Sequence, residues 1–307
     1  MTKGERPNSS PGGPVALGRG LVLANPVLLA SGPFGYGGRY VELFDVSRLG
    51  AVVLKGAAPT PWPGNPPPRV AAVDGGLLNA IGLENPGIDA VLAGPVRTLR
   101  RAGATVVVNV VGHDLDDFVA VARRADGAEG VAALEVNVSC PNVPDGLRYG
   151  TDPALVARLV AAVRRVTALP LWLKLPPLPP DRVALARAVA DAGADALSLV
   201  NTLPGVALDR SGRPRLGVGA GGLSGPALRP VALLSVMECA GAVDLPIIAM
   251  GGIENAEHAR AFFAAGARAV AVGTALFRNP LAAVEILADL TATALLEGES
   301  AAGGAPR

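Results

Sequence analysis

Short apolar runs alternate along this chain with longer segments that carry helix signals. Runs such as 51–54 and 171–175 contain almost only Ala, Val, Leu and Trp, which is typical of strands buried on both faces of a parallel sheet. The segment after residue 151 begins with Asp152 and Pro153, a favoured N-cap followed by a favoured first helical residue. The pattern therefore predicts a strand followed by a helix, repeated along the chain.

Eight such units predict a (β/α)8 barrel of the α/β class, with a short N-terminal β-hairpin and inserted loops at the carboxyl face. The predicted barrel strands are 27–30, 51–54, 105–111, 133–138, 171–175, 196–200, 246–250 and 269–272. The predicted helices are 40–49, 88–102, 114–125, 152–168, 181–192, 226–240, 256–265 and 281–296.

Two long stretches rich in Gly and Pro, 57–86 and 203–225, interrupt the alternation, and the first is expected to lack regular structure over most of its length. Insertions of this length are usually functional. The pattern predicts one domain over 15–297, with a flexible leader at 1–14 and a flexible tail at 298–307.

Composition narrows the classes of function. The formal net charge of +1 provides no electrostatic footprint for nucleic acid or an anionic membrane surface. The two cysteines, Cys140 and Cys239, are too few for a disulfide framework or an iron–sulfur cluster, and two dispersed histidines do not predict a metal site. The charge-free run 20–38 is broken by prolines and glycines, which argues against a membrane span. A reducing cytoplasm fits these features.

Polar and small residues follow the predicted strands, where a barrel gathers its functional groups at one mouth. They are Ser31, Lys55, Asn109, Asn137, Cys140, Asn142, Lys174, Asn201, Thr202, Gly251, Gly252, Gly273 and Thr274. Taken alone, the stretch 135–142 is equally consistent with a buried free cysteine between two turn-forming asparagines.

The loops after strands seven and eight often hold a phosphate in barrels of this type, because backbone N–H groups approach it closely where glycine is present. Gly251, Gly252 and Gly273 therefore favour a phosphate-bearing ligand, although they could serve only as tight turns. Lys55 and Lys174 extend from apolar strands and need an anionic partner if buried, such as a phosphate, a carboxylate or a flavin ring. A lysine that reaches solvent or a nearby carboxylate is the alternative.

Four ordered motifs carry a family resemblance. They are Asn-Val-Ser-Cys-Pro-Asn at 137–142, Leu-Asn-Ala-Ile-Gly-Leu-Glu-Asn-Pro-Gly at 78–87, Gly-Gly-Leu-Ser-Gly-Pro at 221–226 and Met-Gly-Gly-Ile at 250–253. From about residue 17 to about residue 290, the chain resembles class 1 dihydroorotate dehydrogenases, most closely the catalytic subunit of the NAD-linked 1B type. Pro33 and the pair Ala57–Ala58 stand where the family commonly has Thr-containing stretches, which affects possible flavin contacts.

The resemblance implies one FMN per chain and oxidation of dihydroorotate to orotate in pyrimidine synthesis. It makes Cys140 the base that removes the C5 proton while the C6 hydride passes to FMN. A free thiol titrates near ~8.5, so its base form needs a neighbouring positive charge or hydrogen bonds, and Lys55 is a candidate. The implied substrate-binding residues are Lys55, Asn79, Ala80, Ile81, Gly82, Leu83, Asn137, Asn142, Asn201 and Thr202. The implied FMN-binding residues are Ser31, Lys55, Asn109, Asn137, Lys174, Val200, Gly225, Gly251, Gly252, Gly273 and Thr274.

The 1B resemblance also implies a partner. The letters Gly-Val-Gly-Ala-Gly-Gly at 217–222 lack the strand-to-helix context of a dinucleotide-binding motif. We therefore expect an electron-transfer subunit carrying FAD and a [2Fe-2S] cluster, in a heterotetramer with two copies of each chain built on a homodimer of this one. The alternatives are a class 1A-like enzyme that reduces fumarate, another FMN barrel acting on dihydropyrimidines or dihydrouridine, and a non-enzymatic barrel that binds a phosphate ligand.

Overall fold

The computed structural model describes residues 12–38, 40–138 and 148–302, and within them eight parallel strands close into a barrel. In chain order the strands are β1 (Val15–Ala16), β2 (Val22–Leu23), β3 (Val27–Leu29), β4 (Ala51–Val53), β5 (Val70–Val73), β6 (Gly76–Asn79), β7 (Val106–Val110), β8 (Val131–Asn137), β9 (Leu171–Leu175), β10 (Ala196–Leu199), β11 (Leu203–Gly205), β12 (Gly221–Ser224), β13 (Ile247–Met250) and β14 (Ala269–Val272). The barrel order is β3-β4-β7-β8-β9-β10-β13-β14, with β14 pairing β3 to close the ring. The predicted (β/α)8 barrel is confirmed.

The helices lie between the barrel strands, as the sequence predicts. They are α1 (Tyr40–Leu43), α2 (Ile88–Val91), α3 (Arg97–Arg101), α4 (Leu115–Ala125), α5 (Arg148–Thr151), α6 (Pro153–Arg164), α7 (Arg182–Asp191), α8 (Arg229–Ala242), α9 (Ala256–Ala264) and α10 (Ala282–Ala302). A π-helical stretch containing Pro95 joins α2 to α3, since the proline has no N–H to continue the α-helical pattern. The helix predicted over 40–49 is shorter: it ends at Leu43 and is followed by a 3₁₀ turn, Val46–Arg48.

Side-chain hydrogen bonds fix where several helices begin. Asp114 accepts from the backbone N–H of Asp117, and Asp152 accepts from the N–H groups of Ala154 and Leu155. Both aspartates therefore satisfy N–H groups that the first helical turn leaves without a partner. The predicted N-caps of α4 and α6 are confirmed.

Alternating side chains of the barrel strands point inward and outward. The outward residues pack beneath the helices, whereas the inward residues form a separate apolar cluster with the N-terminal hairpin. Leu17 and Leu23 from the hairpin join this inner cluster, and the indole Nε1 of Trp172 donates to the carbonyl of Leu17 at 3.1 Å. The hairpin therefore covers the amino-terminal end of the barrel.

A second, antiparallel sheet lies at the other end, in the order β11-β12-β6-β5. Its strands come from both of the Gly- and Pro-rich insertions, and the sequence pattern did not predict them. Asn79 pairs with Gly222 across the two insertions, and Ala71, Leu78 and Leu216 form a small core beneath the sheet. Strand structure here depends on this long-range pairing and not on local propensity.

The ends of the chain fall partly outside the described residues. Residues 1–11 and 303–307 are not described, so the predicted leader and tail are only partly visible. Helix α10 continues past residue 297, into the stretch predicted as a tail. Within the described part, none of the helices has both the length and the apolar character that crossing a membrane requires.

Candidate active site

A cavity of about 680 Å³ opens at the carboxyl ends of the barrel strands, within the size range of small-molecule and cofactor sites. Its wall combines strand ends with the second sheet. The predicted site residues that line it are Ser31, Lys55, Asn79, Ile81, Leu83, Asn109, Asn137, Lys174, Val200, Asn201, Thr202, Gly225, Gly251, Gly252, Gly273 and Thr274. Side chains that are separated in sequence therefore meet at one mouth.

Lys174 lies on the inner wall and is almost fully buried, with 4% of its surface exposed. Its Nζ donates to Ser31 Oγ at 3.0 Å and lies 3.7 Å from Glu135 Oε1. The same carboxylate oxygen accepts from Asn109 Nδ2 at 2.7 Å. An ammonium group is thus held inside the barrel by a buried carboxylate, with its charge directed at the cavity.

Lys55 follows β4 and also lines the cavity. Its Nζ donates to Glu84 Oε2 at 3.2 Å, and Arg69 Nη1 lies 3.2 Å from Glu84 Oε1. The hydrogen bond from Lys55, together with the charges of Lys55 and Arg69, holds the pKa of Glu84 below its usual range. Burial, aided by the nearby Glu84 charge, raises the pKa of Tyr36, whose hydroxyl donates to the carbonyl of Gly56 at 2.7 Å.

Neutral amides line the same cavity as the two lysines. Asn201 Nδ2 donates to Asn137 Oδ1 at 3.1 Å, while Asn201 Oδ1 accepts from the backbone N–H of Thr202 at 2.8 Å. Asn79 Nδ2 donates to the carbonyl of Gly222 at 3.2 Å. These bonds fix how each amide is oriented, and amides offer both donors and acceptors to a heterocyclic ligand.

A cradle of small residues follows β12, β13 and β14. Gly252 has a φ of +73°, and a Cβ at this position would lie 2.9 Å from the carbonyl oxygen of Gly225 and 2.9 Å from Arg229 Cβ. Only glycine fits this arrangement without displacing backbone. Arg229 Nη1 donates to the carbonyl of Gly252 at 3.0 Å, which supports the cradle from behind. Backbone N–H groups in a Gly-rich loop of this kind suit a phosphate.

Four of the predicted residues are not among the described residues lining the cavity. Ala80 is fully buried, and its N–H donates to the carbonyl of Arg69 at 2.8 Å, so that N–H is already used within the protein. Gly82 packs against Asn65. Cys140 and Asn142 lie outside the described residues. The described chain stops at Val138, one residue after Asn137, which lines the cavity.

The structure adds three charged residues that the sequence reasoning did not select: Glu135, Arg69 and Glu84. Glu135 interrupts an apolar strand in the same manner as Lys174, so the criterion that identified the lysine could also have identified the glutamate. Arg69 and Glu84 lie in the first insertion. Glu84 directly follows the predicted substrate-binding residues 79–83, so the motif could have indicated it, whereas no local signal marks Arg69.

Comparison with known proteins gives a consistent result. The family model for dihydroorotate dehydrogenase matches residues 18–294. A relative from Pelobacter propionicus, named dihydroorotate dehydrogenase B (NAD(+)), catalytic subunit, is 50% identical over 269 residues, covering 87% of this chain and 88% of the relative. The relative of the same name from Malacoplasma penetrans is 47% identical over 273 residues, covering 88% and 89%.

A solved structure matches the fold. It is the crystal structure of DHODH in complex with ferulenol from Eimeria tenella, which superimposes with a TM-score of 0.77 at 24% identity and covers 94% of this chain and 85% of that one. This likeness supports the barrel architecture, whereas the family model and the more similar relatives identify the protein family. The chain is a member of the dihydroorotate dehydrogenase family.

Proposed function

We propose that this chain is the FMN-binding catalytic subunit of an NAD-linked dihydroorotate dehydrogenase, which oxidises (S)-dihydroorotate to orotate in pyrimidine biosynthesis. One observation carries the proposal: the two lysines, the set of amides and the glycine cradle, drawn from most of the chain, line one cavity of about 680 Å³. The relatives named dihydroorotate dehydrogenase B catalytic subunit support the choice of reaction.

The cavity fits a flavin phosphate. Gly225, Gly251, Gly252 and Gly273 line the cavity, and glycines in such loops let backbone N–H groups approach a phosphate closely. On the inner wall, Ser31, Asn109 and Lys174 present hydrogen-bonding groups and a buried positive charge toward the place of the flavin ring. The proposed FMN-binding set is completed by Lys55, Asn137, Val200, Gly225, Gly251, Gly273 and Thr274. When bound, FMN supplies the acceptor for the hydride that leaves C6 of the substrate.

The amides and Lys55 form the proposed substrate site. Asn79, Asn137, Asn201 and Thr202 hold the alternating N–H and C=O groups of the ring, and Asn142, outside the described residues, is proposed to join them. Lys55 contacts the substrate, and the backbone near Ile81 and Leu83 holds its carboxylate. In the same stretch, Ala80 is buried and Gly82 packs against Asn65.

Cys140 is the proposed base, and its thiolate Sγ takes the proton from C5. General base catalysis of this kind contributes about 10²- to 10⁴-fold in rate. A cysteine in this role must stay reduced, so we place the enzyme in the cytoplasm.

The relatives are named as catalytic subunits, which supports a separate subunit for electron transfer. We propose that this partner carries FAD and a [2Fe-2S] cluster and passes electrons to NAD. The proposed assembly contains two copies of each chain, built on a homodimer of the chain described here.

Spectroscopy of the purified chain, made with and without a co-expressed partner, tests this function. We expect bound flavin in the visible spectrum and bleaching of that spectrum on addition of dihydroorotate. Cys140→Ala should bind flavin but bleach at least about 100-fold more slowly, whereas Cys239→Ala should behave like the parent. Equal rates in all three proteins would refute the assignment of the base. Oxidation of the bleached flavin by fumarate without the partner would refute the NAD-linked type.

A further inference from the structure

The inner layer of the barrel changes from apolar to polar just below the cavity. Ala133 and Trp172 belong to the apolar inner cluster, but the next inward positions on the same strands are Glu135 and Lys174. The register places Glu135 beside Asn109 of β7 and Lys174 beside Ser198 of β10. Glu135 is fully buried and lies beneath two residues that line the cavity, Asn109 and Lys174.

A carboxylate at this position is not explained by stability. Burying an ion pair costs several kcal/mol per ion in desolvation, and apolar side chains of similar volume often stabilise a core equally well. The rest of β8 is apolar on its inner and outer faces until Asn137. Glu135 Oε2 has no hydrogen-bond partner among the described residues, so the carboxylate is not even fully satisfied.

One oxygen of this carboxylate holds both neighbours. Glu135 Oε1 accepts from Asn109 Nδ2 at 2.7 Å and lies 3.7 Å from Lys174 Nζ, while Lys174 reaches past it to Ser31 Oγ at 3.0 Å. The carboxylate therefore sets the orientation of an amide and an ammonium group on the inner wall. Its negative charge also offsets part of the positive charge that Lys174 presents to the cavity.

We propose that Glu135 is a positioning residue that holds Asn109 and Lys174 against the flavin ring and limits the positive charge the ring experiences. This inference rests on the proposed function. A positive charge beside the ring favours its reduced, more electron-rich form, and a compensating carboxylate weakens that preference. Glu135 thus sets the reduction potential of the bound flavin through Lys174.

The flavin reduction potential, measured by reductive titration against reference dyes without dihydroorotate, tests the proposal. Glu135→Gln keeps an oxygen that can accept from Asn109 but removes the negative charge. The reduction potential of its flavin should be more positive than that of the parent by at least about 30 mV, which corresponds to a tenfold change in the equilibrium constant of two-electron reduction. Equivalently, the variant should bind reduced FMN at least about tenfold more tightly, relative to oxidised FMN, than the parent does.

Two further variants separate charge from packing. Glu135→Asp keeps the negative charge but moves it away from Lys174 by the length of one methylene group. The flavin reduction potential of this variant should therefore fall between those of Glu135→Gln and the parent. Ser198→Ala changes another fully buried polar side chain, next to Lys174 in register, without changing charge, and should keep the parent potential. If Glu135→Gln does not fold, the shift of Glu135→Asp decides the question.

The possible failures are distinguishable. Parent potentials in both Glu135 variants, or an equal shift in Ser198→Ala, would overturn the role of Glu135 while leaving the proposed function intact. A parent chain that binds no flavin, or whose flavin is not bleached by dihydroorotate, would instead overturn the proposed function.

Discussion

Replacing Gly252 with alanine should impair FMN binding through a steric effect that the structure quantifies. At φ +73°, an alanine costs about 1–2 kcal/mol because its Cβ crowds the following carbonyl. The new Cβ would also lie 2.9 Å from the carbonyl oxygen of Gly225 and 2.9 Å from Arg229 Cβ. Since the first of these contacts is with backbone, the cradle itself must shift to relieve it.

Gly127 offers a matched control. It has the same φ of +73°, but a Cβ there would meet nothing within 4 Å, and it lies in the turn between α4 and β8, away from the cavity lining. Gly127→Ala therefore introduces the same backbone strain without the contacts. Both variants should melt a few degrees lower than the parent without FMN.

Fluorescence titration of the flavin-free proteins with FMN separates the two effects. Gly252→Ala should raise the Kd for FMN about tenfold or more, which corresponds to a loss of about 1.4 kcal/mol in binding free energy. Gly127→Ala should bind FMN as the parent does. A parent-like Kd for Gly252→Ala, or an equal loss in Gly127→Ala, would refute the assignment of the cradle to the flavin phosphate.

Three other predictions address groups around the barrel. Burial raises the pKa of Cys239 to about 12, so iodoacetamide near pH 8 should modify this thiol only after denaturant is added; modification of the native protein, seen by mass spectrometry, would contradict its burial. The hydrogen bond from Lys55 lowers the pKa of Glu84, so the parent should be more stable than Glu84→Gln at neutral pH. This difference in stability should disappear as the pH falls below 4.5 and through the folded-state pKa of Glu84. Thermal melts of both proteins that show no such pH dependence would argue against the Lys55–Glu84 pair. Trp172→Phe should lose about 1–3 kcal/mol by leaving the Leu17 carbonyl without its donor, as measured by denaturant unfolding, while the FMN Kd stays unchanged.

The barrel was predictable because its signals are local. Each barrel strand is a short run of apolar residues, and the N-caps Asp114 and Asp152 mark helix starts that the structure shows to within a residue. The convergence of the strand-end residues followed from the closed topology alone, since every carboxyl end of a parallel barrel faces the same side.

What the sequence did not reveal depends on contacts between distant segments. The strands β6 and β12 exist because Asn79 and Gly222 pair across the two insertions, and neither segment has a strong strand signal by itself. The burial of Ala80 likewise depends on its packing with Ala71, Leu78 and Leu216, two of which lie in other parts of the insertions. The roles of Cys140 and Asn142 stay predictions that rest on the family motif.

The N-terminal hairpin, which covers one end of the barrel, limits where small molecules can enter and leave the enzyme. With Leu17 and Trp172 packed across the amino-terminal end of the barrel, the cavity described here is reached from the carboxyl-terminal side of the strands. We therefore expect dihydroorotate to enter, and orotate to leave, on that side of the barrel.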